Sequence, residues 1–141
     1  MDSNVLLLGG SGTLGSKIIK SKVFNNLKYP LKKKLNILNQ KKIFNYLNYH
    51  KIDIVLHCAA LARVRECESN KKKAKKINVD GTNNIVRSIL KIKKIKKKDI
   101  KLIFISTDAV YSDLGGNHKE NDTLKPYNFY GVTKLKGEKM V

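Results

Sequence analysis

The chain of 141 residues has a net charge of +19, from 30 Lys and Arg against 11 Asp and Glu. With 41% of its residues apolar it can bury a real core, but its length is one domain's worth, too short for a cofactor domain joined to a full substrate domain. No early segment has the order of a signal peptide and no apolar run approaches membrane-spanning length, so no membrane partner is expected. The two cysteines, Cys58 and Cys67, lack a CxxC spacing and offer neither a disulfide framework nor a metal site, which makes a reduced cytoplasm the expected setting. The positive charge is lysine charge, 27 Lys to 3 Arg. Modules that read nucleic-acid sequence use arginine forks and interleaved aromatics, and these runs have neither. They read as solvated surface, with no specific nucleic-acid partner.

Asn4–Leu8 is a continuous apolar run, the pattern of a central strand covered on both faces. A glycine-rich turn follows over Gly9–Gly15, then a helix over Thr13–Lys22 with Leu14, Ile18 and Ile19 on one face. Val23–Lys34 contains Pro30 and a lysine triplet and reads as loop. Leu35–Leu38 reads as a short strand. Asn39 is placed to cap a helix over Gln40–Tyr49, where Ile43, Phe44 and Leu47 share a face. Ile54–Cys58 is the next buried-type strand.

Ala62–Glu68 reads as a short helical turn and Lys71–Lys91 as a longer helix, fraying into a surface loop over Lys91–Lys98. Lys101–Ser106 is another strand, followed by a polar loop through Pro126. A last helix starts near Phe129 and is expected to run to the final residue. Strands alternating with helices imply an α/β fold with a doubly wound parallel sheet and right-handed crossovers, of the Rossmann type.

The strand–glycine–helix context gives each glycine of Gly9-Gly10-Ser11-Gly12-Thr13-Leu14-Gly15 a task. Gly9 permits a tight turn, Gly12 lets a pyrophosphate approach the backbone, and Gly15 lets helix and strand pack closely. The helix N-terminus then offers free N–H groups and the positive end of its dipole to phosphates.

In its GxxGxxG spacing this loop resembles that of the short-chain dehydrogenase/reductase superfamily. His57-Cys58-Ala59-Ala60 is similar to the superfamily's N-[AC]-A-[AG] segment, which lines the adenosine side of the cofactor. Asn78-Val79-Asp80-Gly81-Thr82 resembles the NVxGT of its extended members, whose asparagine lies on the helix behind the active site. Asn36-Ile37 stands where an acid and an apolar residue often contact adenine. By this resemblance the cofactor-binding set is Gly9, Ser11, Gly12, Thr13, Leu14, Gly15, Asn36, Ile37, Cys58, Ala59, Ala60 and Asn78, with Tyr130 and Lys134, and the cofactor is NADP(H) or NAD(H).

Thr107 ends a strand, and Tyr130 and Lys134 open a helix at i, i+4 and so share one face. Hydride chemistry at a carbonyl needs a proton donor or acceptor at the reacting oxygen. A phenol near its usual pKa of ~10 needs a neighbouring ammonium to favour its ionised form. The expected catalytic roles are Tyr130 as proton donor, Lys134 as its electrostatic partner, also reaching the cofactor ribose, and Thr107 as the hydroxyl that holds the substrate oxygen.

Ser106-Thr107-Asp108, Glu120–Pro126 and Tyr130–Glu138 resemble dTDP-4-dehydrorhamnose reductases and their sugar-nucleotide reductase relatives. Related dehydratases carry Thr-Asp-Glu, and Ala109 replaces that glutamate here. The resemblance implies reduction of a keto-sugar nucleotide. A sugar-nucleotide epimerase or a nonenzymatic dinucleotide-binding regulatory subunit are the alternatives, and a homodimer is possible.

Two departures stand out. No second strand ends in the Asp or Glu that would bind an NAD ribose, and Lys32, Lys33 and Lys34 in that region would suit a 2′-phosphate. Enzymes of this kind also continue well past such a Lys134. Residues 1–141 are therefore expected to be an NAD(P)-binding domain, incomplete on its C-terminal side, without the region that grips the sugar.

Overall fold

The computed structural model describes residues 3–112 and 116–141; part of the polar loop expected after Ser106 lies outside them. Val5–Leu8 (β1) has four consecutive aliphatic side chains, none more than 2% exposed, as a strand covered on both faces requires. It is flanked by Leu27–Lys28 (β2) on one side and Ile54–His57 (β3) on the other, with Lys101–Phe104 (β4) at the far edge. All pairings are parallel, with Val5 opposite Leu27 and Ile54, and Ile54 opposite Lys101.

The helices are Thr13–Ser21 (α1), Gln40–Tyr49 (α2), Val64–Ser69 (α3), Lys71–Lys75 (α4), Gly81–Lys96 (α5) and Phe129–Glu138 (α6). Side chains alternate across the sheet. Leu6, Leu8 and Val55 pack with Ile43 and Leu47 of α2 and Ile85 and Ile89 of α5. Val5, Leu7 and Leu56 meet Ile18 and Ile19 of α1 on the opposite face. Helices thus cover both faces, the doubly wound α/β arrangement expected of the Rossmann type.

Several local expectations are corrected. Leu35–Leu38 is not a strand. Asn36 Oδ1 accepts from the Leu38 N–H at 3.0 Å and Asn36 O from the Asn39 N–H at 2.9 Å, closing a turn. Leu35 and Ile37 reach the core from that turn without strand pairing. The second strand is the two-residue β2, inside the segment expected to be loop.

Nor does the helix fray at Lys91. Ile92 is 2% exposed, Lys93 pairs with Asp99 at 2.7 Å, and the helix closes only at Lys97, in the left-handed region at φ 54°. Between α4 and α5 the backbone widens into a π-helical turn, Lys76–Asp80, a feature that often marks a functional site. The last helix starts at Phe129 as expected and ends at Glu138. Asn39, Asn70 and Asn128 each accept a backbone N–H at the start of α2, α4 and α6, so part of the asparagine content serves as N-caps.

Candidate functional site

The chain leaves β1 toward β2 and later returns to place β3 on the other side, so the sheet's switch point lies between β1 and β3. In open α/β sheets the crevice outside the carboxyl ends of such strands is where ligands bind. A cavity of about 520 Å³ occupies that place, lined by Leu8 at the end of β1, by Gly9–Gly12, and by Cys58–Leu61 after β3.

The glycines of the loop divide by what surrounds them. Gly9 has φ +94°, and a Cβ there would lie 2.6 Å from the Ala59 backbone nitrogen. A Cβ at Gly15 would lie 2.3 Å from the Gly9 carbonyl oxygen. Both are required by the protein's own packing. Gly12 is not: its φ is −79° and the nearest atom to a Cβ would be Gly9 O at 3.4 Å. It lines the cavity and stands at the N-cap of α1, where no side chain caps the free N–H groups. A bare, uncapped helix N-terminus facing a cavity is suited to an anion.

The opposite wall comes from Tyr29–Lys32 and Leu35–Leu38, including Asn36 and Ile37. Asn84 of α5 holds this turn by donating to Ile37 O at 3.0 Å, and Gly81 lets Ile37 pack closely on α5. Of the three lysines expected at a 2′-phosphate only Lys32 lines the cavity. The turn over 31–35 carries Lys33 and Lys34 elsewhere. Lys73 of α4, which the sequence did not single out, lines it instead, paired with Glu66 at 2.7 Å. No Asp or Glu lines the cavity among the described residues. Its electrostatics therefore favour an anionic ligand.

Thr107 and Tyr130 come together at the end of β4. The Thr107 hydroxyl accepts from Ala109 N–H at 3.2 Å, capping the short 3-10 turn Asp108–Val110, and donates to Asp108 Oδ1 at 3.1 Å, with the Tyr130 phenol near enough to feel it. Burial raises the phenol's pKa, with Cys67 adding to the effect and Thr107 opposing it. Tyr130 is thus protonated at neutral pH in the free chain rather than driven toward phenolate, as suits a proton donor.

Lys134 is 3% exposed. Its ammonium donates to Ile105 O and lies 3.8 Å from the Phe104 ring centroid. Burial lowers its pKa to about 8, against the opposing fields of Glu138 and Cys58. The Cys58 thiol is pushed up by burial, with Lys134 pulling the other way.

Asn78 sits in the π-helical turn, 2% exposed, away from the cavity lining. Its Oδ1 accepts from Leu61 N–H at 2.7 Å, and its Nδ2 donates to Leu61 O at 3.0 Å and to Thr133 Oγ1 at 2.9 Å. Both amide hydrogens are taken by protein, so the geometry makes it a brace between the loop after β3 and the helix of Tyr130 and Lys134. Thr13, Leu14 and Gly15 likewise belong to the first turn of α1 behind the cavity rim. Among the described residues no group of three or more His, Cys, Asp or Glu could hold a metal ion.

The model of the RmlD substrate binding domain matches residues 3–141. The chain belongs to this family. The beta subunit of methionine adenosyltransferase 2 from Bos taurus is 30% identical over 97% of this chain and 42% of its own length. A solved dTDP-4-dehydrorhamnose reductase from Clostridium acetobutylicum is 31% identical with a TM-score of 0.85, over 97% of this chain and 48% of that one. Another, from Bacillus anthracis in complex with NADP, is 28% identical with a TM-score of 0.87, over all of this chain and 49% of that one. The chain spans about half the length of the family relatives it matches. The Rossmann-type reading of the sequence is borne out by these folds, and so is the likeness to dTDP-4-dehydrorhamnose reductases.

Within this family frame, three parts of the site had no strong sequence signal. Lys73 lies one helical turn before Ile77, which also lines the cavity, and that spacing is the only local hint. Phe104 and the Ile105 carbonyl, the seat of Lys134, belong to a strand read only for its apolarity. Glu138, which accepts a hydrogen bond from Ser106, ends the Tyr130–Glu138 run, but nothing in the sequence pointed to Ser106 as its partner.

Proposed function

We propose that this chain forms the cofactor half of an NADP(H)-dependent reductase acting on a keto-sugar nucleotide, with the dinucleotide lying across Gly9–Gly12. The observation that carries the reading is Gly12: a glycine that neither backbone angle nor packing demands, at an uncapped helix N-terminus open to a cavity at the switch point. A pyrophosphate there would use the space a side chain would fill. The adenine side falls to Asn36, Ile37, Ala59 and Ala60. Lys32 and Lys73, with no lining acid, favour the extra phosphate of NADP(H) over a bare ribose. The NADP complex of the related reductase supports the same choice.

When bound, the reduced nicotinamide supplies the hydride. Tyr130, held as a neutral phenol by burial and aligned by Thr107, gives its proton to the new hydroxyl. Thr107 holds the substrate oxygen beside it. Lys134 supplies positive charge one helical turn away, which favours the phenolate left once the proton is given. Likeness to a subunit of methionine adenosyltransferase favours one second reading, a dinucleotide-binding subunit that regulates a partner.

Calorimetric titration with NADPH and NADH tests the first half of the proposal. Tighter binding of NADPH, by about tenfold at low salt and less at high salt, is expected. Binding of neither dinucleotide would overturn both readings. Turnover separates them: a preparation that reduces a keto-sugar nucleotide should lose ~10²–10⁴-fold in rate on Tyr130→Phe.

A further inference from the structure

We infer that His57 and Thr82 are positioning residues: acting in series, they fix the π-helical turn so that the Asn78 side chain holds both Leu61 on the cavity wall and the helix of Tyr130. The inference deepens the proposed function and rests on it for the parts played by the cavity and Tyr130.

Thr82 has one hydroxyl hydrogen, and it goes to Asn78 O at 2.7 Å, because a carbonyl can only accept. His57 Nε2 lies 3.1 Å from the same hydroxyl oxygen and must therefore be the donor there. A second ring proton, on Nδ1, would be buried without an acceptor among the described residues, so the ring is the neutral Nε2–H tautomer. The bonded series runs on from Asn78. Its side chain closes on Leu61 N–H and O and on Thr133 Oγ1, and the Thr133 hydroxyl donates to Tyr130 O at 2.7 Å. Leu61 lines the cavity four residues after His57, so the loop between them is tied to one helical turn at both ends.

The turn itself is what needs fixing. Gly81 N–H donates to Lys76 O, five residues back, which is one residue out of the α-helical register. A return to that register would swing Asn78 by about 100° and break its bonds to Leu61 and Thr133 together. The Thr82 hydroxyl holds the Asn78 carbonyl across the junction of this turn and α5, and His57, at the end of β3, fixes the hydroxyl. Packing alone does not call for these residue types. Both side chains are fully buried beside the apolar core, where valine and phenylalanine would fill similar space without burying polar atoms.

The test is NMR of the ligand-free chain, with Thr82→Val as the variant of the same shape that has no hydroxyl. Long-range proton–nitrogen correlation in the parent should show His57 protonated at Nε2, and protonation at Nδ1 would overturn the inference. In Thr82→Val the Asn78 Nδ2 hydrogens should exchange with water about tenfold faster, the equivalent of one lost hydrogen bond, while the backbone amides of β1 and β3 change less. Thr82→Ser restores the hydroxyl and should restore the protection. If the pair only fills the core, Asn78 exchange will follow the global loss of stability in both variants, and that result contradicts the inference. Should Thr82→Val fail to fold, His57→Phe decides: selective loss of Asn78 protection supports the inference and unchanged protection overturns it. NADPH titrated into parent and variant is read separately. Affinity about tenfold lower in Thr82→Val, recovered in Thr82→Ser, is expected, and equal affinities would overturn the hold on the cavity wall. Absence of binding in the parent removes the proposed function while leaving the His57–Thr82–Asn78 relation as measured.

Discussion

Gly131 faces the carbonyl of Ala109 so closely that a Cβ on Gly131 would lie 2.0 Å from that oxygen. This contact seats the first turn of α6 on the 3-10 turn that follows Thr107, and it places Tyr130 near Thr107. Glu68 of α3 secures the same turn by accepting from the Phe129 N–H at 2.6 Å.

Gly131→Ala therefore separates packing from propensity. In an open helix the change would stabilise by ~1 kcal/mol. Here the helix must back away from a backbone atom, and a net loss of about 2 kcal/mol or more is expected. Thermal unfolding of parent and variant measures it. An unchanged or raised midpoint would mean that α6 does not sit on the Ala109 turn as described.

His57 makes the fold sensitive to acid. The ring is 1% exposed, its Nε2 lies 3.1 Å from Thr82 Oγ1, and its Nδ1 has no partner. Burial, helped by the Lys134 charge, lowers its pKa to about 3. The unfolded chain takes up the proton near 6.5 and the folded chain refuses it until about 3, so stability contributed by neutral His57 is lost as pH falls through that window. The effect is on the order of 4 kcal/mol at the acid end. His57→Phe, which can pack beside Phe104, should flatten the fall in denaturation free energy between pH 6.5 and 4. Identical pH slopes would show that His57 is not buried neutral.

Lys134 is linked to pH in a different range. Its pKa is 10.5 when unperturbed and about 8 in the fold, so below 8 both states are charged and the cost of burying the ammonium is fully present. That cost fades as pH rises toward 10.5. Lys134→Met should be more stable than the parent at pH 7 by roughly 1–3 kcal/mol, the difference shrinking above pH 8. Urea denaturation at pH 7 and pH 10 checks the sign. A less stable variant at pH 7 would mean that the Ile105 carbonyl and Phe104 ring compensate the charge more than burial costs it.

The parts of the molecule legible in the sequence are those whose information is local. Val5–Leu8 and the glycines after it form one uninterrupted pattern, and Asn39 announced the start of α2. The second strand was not legible because two residues, Leu27 and Lys28, carry no periodicity, while the alternation of Leu35 and Ile37 serves burial from a turn. The end of α5 was hidden by lysine composition, although Ile92 continues the stripe of Ile85 and Ile89. Thr107, Tyr130 and Lys134 were singled out by spacing and resemblance. The direction of the Lys134 side chain was not, because Phe104 and Ile105 lie on another element. Asn78 was recognised by its motif, but its partners Leu61 and Thr133 are 17 and 55 residues away, and no short pattern encodes that bracing.

The proposed dinucleotide site across Gly9–Gly12 is tested most directly at Gly12. A valine there keeps an ordinary backbone angle and meets no protein atom closer than 3.4 Å at its Cβ, so the fold should tolerate it. A ligand lying on the loop would meet the added side chain. NADPH titrated into the parent and into Gly12→Val, with the thermal midpoint of each unliganded protein measured alongside, gives both readouts. The expected result is a near-parental midpoint with affinity lower by about 100-fold, since one displaced phosphate contact set is worth ~3 kcal/mol at charge-assisted hydrogen bonds. Equal affinity in a folded Gly12→Val chain would contradict the placement of the cofactor on this loop.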